Sequence, residues 1–289
     1  MAPEVPVRRP QGVLTYNPGM DNVVMLGKWE ELVHAVPDQS VSLVLTDPPY
    51  GCTPHSWDKR PYWSFFWTQM ARICGESGQA WVFVRMPWAI EVYSAAAKAG
   101  WRYVQEVVWE KQNGGGATVD TFRKVHENIW HFKRPGASTF NISAVRVPKT
   151  TTGDKSIAAG KGYAATQYMK GRVAYVDDGL RMPRSVMFCR NLHQSRESLG
   201  HPTQKPIAVV EPLVLYSSNP GELVFDPFAG TGTTLAAAQR NDRRWLGIEM
   251  TPEWHAKATA RMGGTVDSIR CHPPPPSQNE GKDGIFGEE

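Results

Sequence analysis

Leu223-Val224-Phe225-Asp226-Pro227-Phe228-Ala229-Gly230-Thr231-Gly232-Thr233-Thr234 decides the fold, because an apolar run ends in an acid and a glycine turn then opens a helix. This is the strand-turn-helix unit of an open α/β sheet, whose ligands bind beyond the carboxyl ends of the strands. Gly230 and Gly232 let a ligand approach the backbone closely, and the amides at the helix start favour an anionic group. No Lys follows the glycines, so the phosphate-loop pattern fails. Leu235 or Ala236 stands where the third glycine of the dinucleotide pattern belongs. What remains is a pocket for a nucleoside cofactor.

Downstream, Trp245 to Glu249 is another buried strand, and Glu249 falls 23 residues after Asp226, where an acid grips ribose hydroxyls. A methionine carboxylate at the helix start with its ribose on Glu249 fits S-adenosylmethionine. Upstream, His201-Pro202-Thr203-Gln204-Lys205-Pro206 precedes a predicted helix over Ile207 to Ser217. There Thr203 is expected to cap the helix and Lys205 to reach the cofactor carboxylate.

Further upstream, Val41-Ser42-Leu43-Val44-Leu45 leads through Thr46 into Asp47-Pro48-Pro49-Tyr50. Two prolines fix φ and remove donors, so the backbone carbonyls there stay free as acceptors. The exocyclic nitrogen of adenine or cytosine is a poor nucleophile and gains reactivity when acceptors hold its hydrogens. Asp47 and the Pro48 carbonyl are placed to be those acceptors, and Tyr50 to stack on a base swung out of the duplex.

Other buried strands are predicted at Asn22 to Met25 and Ala80 to Arg85. Helices are predicted over Tyr62 to Ile73, Trp88 to Lys98, Thr233 to Gln239 and Glu253 to Met262. Val104 to Glu110 and His126 to Phe132 read as an antiparallel hairpin at one edge. The whole is an α/β chain with a Rossmann-like, mostly parallel sheet. Five segments follow: a flexible arm at 1–20, a catalytic half at 21–133, an irregular insertion at 134–200, a cofactor-binding half at 201–266, and a disordered tail at 267–289.

The net charge of +4 conceals an uneven distribution. Arg134 to Arg196 carries eleven Lys or Arg against three Asp, leaving −4 for the remainder. A solvated loop explains such a stretch; a footprint for phosphates is the sharper reading. No apolar run reaches the roughly 18 residues that span a bilayer, and the N-terminus has no apolar signal segment, so a cytoplasmic location is expected. Four cysteines without a C-x-x-C pair argue against a disulfide framework and a zinc site, and no metal is expected. In His126-Glu127 the second His of a zincin helix is replaced by Trp130, so the pair reads as structural.

Together, Asp47 to Tyr50, His201 to Pro206 and Phe225 to Thr234, in this order, resemble the beta class of amino-group DNA methyltransferases. Trp57-Asp58, Trp109-Glu110-Lys111 and Val125 to Ile129 look like that family's connecting segments. The resemblance implies catalytic roles for Asp47, Pro48 and Tyr50, with Pro49 shaping the loop. It implies cofactor contacts at Asp47, Asp226, Phe228, Gly230, Thr231, Gly232 and Thr233, with Thr203 and Lys205 at the methionine end and Glu249 at the ribose. It places target recognition in the insertion, makes double-stranded DNA the partner, and allows a homodimer. Asp rather than Ser at position 47 leans toward adenine N6 over cytosine N4 within this family. An inactive DNA-binding regulator and an RNA methyltransferase are the alternatives. One departure stands out: the family shows Gly-Asp before its first catalytic strand, whereas Gly27 is followed by Lys28.

Overall fold

The computed structural model describes residues 21–115, 122–148, 179–192 and 195–263. The expected arm, residues 149–178 and 193–194 of the expected insertion, and the expected tail lie outside the described residues. In chain order the elements are β1 (Val23–Leu26), α1 (Trp29–Leu32), β2 (Leu43–Thr46), α2 (Trp63–Cys74), β3 (Gln79–Val84), α3 (Ala89–Lys98), β4 (Arg102–Gly115) and β5 (Lys124–Lys133). They continue with α4 (Ile142–Val145), β6 (Val147–Pro148), β7 (Leu180–Arg181), β8 (Val186–Phe188), α5 (Ile207–Ser217), β9 (Leu223–Asp226), α6 (Thr233–Arg240), β10 (Arg244–Glu249) and α7 (Pro252–Gly263).

Among the described residues, eight strands form one sheet in the order β1-β10-β9-β2-β3-β5-β4-β8. The first five run parallel, as apolar strands covered on both faces can. β5 pairs antiparallel with β3 and with β4, so the hairpin expected from the sequence is present and longer than its apolar centre. Beyond it, β8 from the insertion adds to β4 in parallel. β2 starts at Leu43 rather than Val41 because the Val41 amide bonds the Ile73 carbonyl at the end of α2.

Alternation along the strands sends side chains to two cores. Val44, Ala80, Val82 and Phe225 meet α2 and α3 through Phe66, Trp67, Ile73 and Val92. Leu43, Leu45, Trp81, Phe83 and Val224 meet α5 and α6 through Val210, Leu213 and Ala236. The chain after β2 therefore leaves for one face and the chain after β9 for the other. These two strands are neighbours, with Leu43 opposite Val224 and Val44 opposite Phe225. A crevice opens where adjacent strands diverge in this way, and open α/β sheets bind ligands there.

Candidate active site

The two strand ends are joined by side chains. Thr46 closes β2 and donates its hydroxyl hydrogen to Asp226 Oδ1 at 2.6 Å, and the Phe228 amide donates to the same oxygen at 3.1 Å. Burial pushes the Asp226 carboxyl up to about 6. Thr234 on α6 bonds the Leu45 carbonyl at 3.2 Å, a second tie across the seam.

From this seam opens a cavity of about 1240 Å³. Asp47, Pro48, Pro49, Tyr50, Thr203, Lys205, Asp226, Phe228, Gly230, Thr231, Thr233 and Glu249 all line it. Of the residues expected at the site, Gly232 alone does not. It takes φ +75° at the N-cap of α6, and a Cβ there would come within 3.3 Å of Ala258 Cβ, so its smallness serves the packing of α7. A Cβ at Gly230 would meet no atom within 4 Å, which leaves open space in the wall at the turn. Beside it, Glu249 accepts the Gly230 amide at 2.9 Å and the Thr251 amide at 2.7 Å, with burial lifting its carboxyl. An acid bonded to a glycine turn, with the Phe228 ring in the same wall, suits a nucleoside with a charged tail.

The loop after Tyr50 is held from within. Burial pulls the Asp58 carboxyl upward, but amide hydrogen bonds from Gly51, Cys52 and Thr53 at 2.8, 2.8 and 2.6 Å outweigh it and leave the group below its ordinary range. This fixes the exit of the tetrapeptide. The role of Asp58 was not evident from its connecting position.

Asp47 is the most heavily engaged residue. Tyr50 donates its hydroxyl hydrogen to Oδ1 at 2.8 Å, and Lys205 Nζ bonds Oδ2. Burial raises the Asp47 carboxyl, Lys205 draws it down, and the net effect is upward. Lys205 is only 7% exposed and also bonds the Thr203 carbonyl at 3.2 Å. Its second ion pair is with Glu127 at 3.3 Å, and Glu127 is bonded in turn by Lys111. Burial lowers the Lys205 ammonium, but the two carboxylates outweigh it and leave the cation firmly charged.

Lys205 lines the cavity with its ammonium on Asp47 and Glu127. One expectation needs correction. Thr203 does not cap α5: Pro206 occupies the N-cap without a side-chain bond, and Thr203 Oγ1 contacts His201 Nδ1 at 3.2 Å. The cap comes from Glu197, whose Oε1 accepts the Ile207 amide at 2.8 Å. Glu197 also pairs with Arg261 at 3.5 Å, and Arg261 donates to the Thr231 carbonyl at 3.3 Å and to Thr233 Oγ1 at 3.1 Å. α7 thereby braces the glycine turn from behind.

Glu127 is the site residue that sequence reasoning missed. A signal existed, since strand alternation from fully buried Ile129 puts Glu127 on the face that carries α5 and α6. Lys28 lies at the rim beside Trp29, and its nearest acid is Glu31 at 3.8 Å. Among the described residues, no group of three or more His, Cys, Asp or Glu could hold a metal ion, and no helix is long and apolar enough to cross a membrane.

A mostly parallel sheet with an acid-Pro-Pro loop and a glycine turn meeting over one crevice places the chain in the doubly wound α/β class. The family model described as DNA methylase (N6_N4_Mtase) matches residues 41–260. The type II methyltransferase M.HpaI of Haemophilus parainfluenzae is 28% identical over 237 residues, covering 78% of this chain and 69% of that protein. Among solved structures, the complex of M1.HpyAVI with SAM aligns with a TM-score of 0.59 at 19% identity, over 83% of this chain and 98% of that one. The PvuII DNA methyltransferase, described as cytosine-N4-specific, aligns with a TM-score of 0.58 at 19% identity, over 86% and 87%. The chain belongs to the DNA methylase family that acts on amino groups of adenine or cytosine.

Proposed function

We propose that this methyltransferase uses S-adenosylmethionine to methylate N6 of an adenine flipped out of duplex DNA. The observation that carries this reading is the meeting of Asp47 and Asp226 at adjacent strand ends within one cavity of about 1240 Å³. That volume exceeds the roughly 300–1,000 Å³ of a single-ligand pocket, and it has room for a cofactor and a base together. When bound, S-adenosylmethionine supplies an electrophilic methyl group on a sulfonium centre. Glu249 would hold its ribose, the Gly230 turn its charged tail, and Phe228 its flank.

The protein's own residues then have defined tasks. Tyr50 exchanges its bond to Asp47 for stacking on the base, which frees Oδ1. Asp47 and the Pro48 carbonyl take the two amino hydrogens, and the lone pair of the nitrogen localises toward the cofactor side. Asp47 receives the proton that the methylated nitrogen sheds, a task suited to a carboxyl that burial has made more basic. Placement and acceptor electrostatics do the rest. Asp at position 47 supports adenine as the target. The segment 134–200 is read as the recognition module, with its basic residues on phosphates.

Incubation with labelled S-adenosylmethionine and mixed-sequence duplex DNA, followed by nucleoside analysis, tests the proposal. N6-methyladenine is expected, and Asp47→Ala is expected to abolish it while cofactor binding persists. N4-methylcytosine would move the target to cytosine, and full turnover by Asp47→Ala would remove Asp47 from the chemistry.

A further inference from the structure

Lys205 is shared. Asp47 bonds it from the end of β2, while Glu127 on β5 faces it through Oε2 at 3.3 Å. Glu127 Oε2 is buried and makes no aligned hydrogen bond, so this contact is an ion pair alone. The other Glu127 oxygen is bonded by Lys111 from β4. Asp47, Lys205, Glu127 and Lys111 thus form a chain of alternating charge, neutral as a set, gathered from four separate parts of the sequence.

We propose that Glu127 is a positioning residue for methyl transfer. By dividing the Lys205 ammonium with Asp47, it keeps that cation from becoming the exclusive counter-charge of Asp47 and leaves the aspartate competent to accept the target's amino hydrogens. This rests on the reading of Asp47 as the acceptor. An ammonium has three donors; Lys205 gives hydrogen bonds to Asp47 and the Thr203 carbonyl, while Glu127 faces the same nitrogen as a charge. Loss of the glutamate charge would let the cation settle on Asp47 and weaken it as a base, because a neighbouring cation stabilises a carboxylate whereas a like charge makes it more basic.

Other charged or titratable groups surround the pair. Tyr50 and Asp226 face Asp47, Lys124 lies near Glu127, and Cys52 lies near Tyr50. Substitution at Glu127 leaves all of these in place. The direction of Glu127 is set by the strand, since Asn128 and Ile129 beside it are in register with Val84 and Phe83 of β3.

The test compares Glu127→Gln, Glu127→Asp and Asp47→Ala with the parent protein. Single-turnover methyl transfer to DNA is measured across pH, and S-adenosylmethionine binding by calorimetry. Glu127→Gln is expected to lose at least ~10-fold in rate at neutral pH, to keep cofactor affinity within about twofold, and to move the acid limb of the rate profile down by about half a pH unit or more. Glu127→Asp, which keeps the charge, is expected to retain the parent's acid limb. A rate near the parent's, or a slower rate with an unmoved acid limb, overturns the proposal. If Glu127→Gln does not fold, Lys111→Met carries the test. It removes the competing cation and is expected to move the acid limb upward, and an unmoved limb there is equally decisive against the role. Full turnover by Asp47→Ala, which removes both side-chain acceptors, would instead overturn the acceptor reading itself, so the two failures are distinct.

Discussion

Thr46 donates to Asp226 at 2.6 Å across 180 positions of sequence, and this single hydrogen bond joins the strand that ends in the catalytic loop to the strand that ends in the cofactor turn. Both partners are buried. The bond satisfies one oxygen of a carboxylate that the fold has withdrawn from water for the sake of its site.

That withdrawal opposes folding at neutral pH. Asp226 sits at about 6 in the folded protein against an ordinary 3.8, so the native state holds the proton more tightly than the unfolded chain. The group's contribution to stability is complete below pH ~4 and is lost as pH rises through 6, a change of about 3 kcal/mol. Asp226→Asn keeps an acceptor for Thr46 and removes the charge. Urea denaturation is expected to show it more stable than the parent by ~1–3 kcal/mol at pH 8 and nearly equal at pH 4, with weaker cofactor binding. Equal stability at pH 8 would contradict this account.

Lys205→Met should do the opposite. It leaves Asp47 and Glu127 buried beside each other without their shared cation, and breaking a buried pair costs about 3–5 kcal/mol. Both carboxyls would then titrate higher in the folded state, so the deficit should be larger at pH 8 than at pH 5. Thermal or urea denaturation at the two pH values decides it, and a pH-independent deficit counts against the charge network.

The start of α5 separates Glu197 from Thr203. Glu197→Ala removes the partner of the Ile207 amide and of Arg261, whose side chain is 9% exposed, and a loss of about 1–3 kcal/mol is expected. Thr203→Ala should lose less than ~0.5 kcal/mol. Reversed magnitudes in matched denaturation curves would show the cap to be misassigned.

Arg184 and Arg190 are exposed in the described part of the basic segment. If they hold phosphates, the logarithm of DNA affinity falls with the logarithm of salt, and replacing each with Gln flattens the slope by about 0.9 for every phosphate no longer neutralised. Fluorescence anisotropy at several salt concentrations measures it; an unaltered slope places the phosphates elsewhere.

Strands β2, β9 and β10 were legible because apolar runs closed by an acid have few other readings. The same pattern by itself puts Asp47, Asp226 and Glu249 at one rim of the sheet. The hairpin was legible only at its apolar centre, since polar alternation at Arg102 and Lys124 hides its ends. β6, β7 and β8 are two or three residues long and carry no periodic signal. Partners were the least legible feature. Strand alternation assigns Glu127 a face but not the lysine opposite, and a residue just before a helix looks like a cap until Glu197, ten positions away, proves to reach the amide.

The pairing of β2 with β9 has a consequence for synthesis. A ribosome emits β2 early and adds its central neighbour only after about 180 more residues, roughly 10–35 s later at 5–20 residues per second. Until then the nascent strand carries an unpaired flank of apolar backbone, the kind of surface that recruits stray strands. The flank of β2 that faces β9 therefore stays open to such strands until β9, in the last third of the chain, is made.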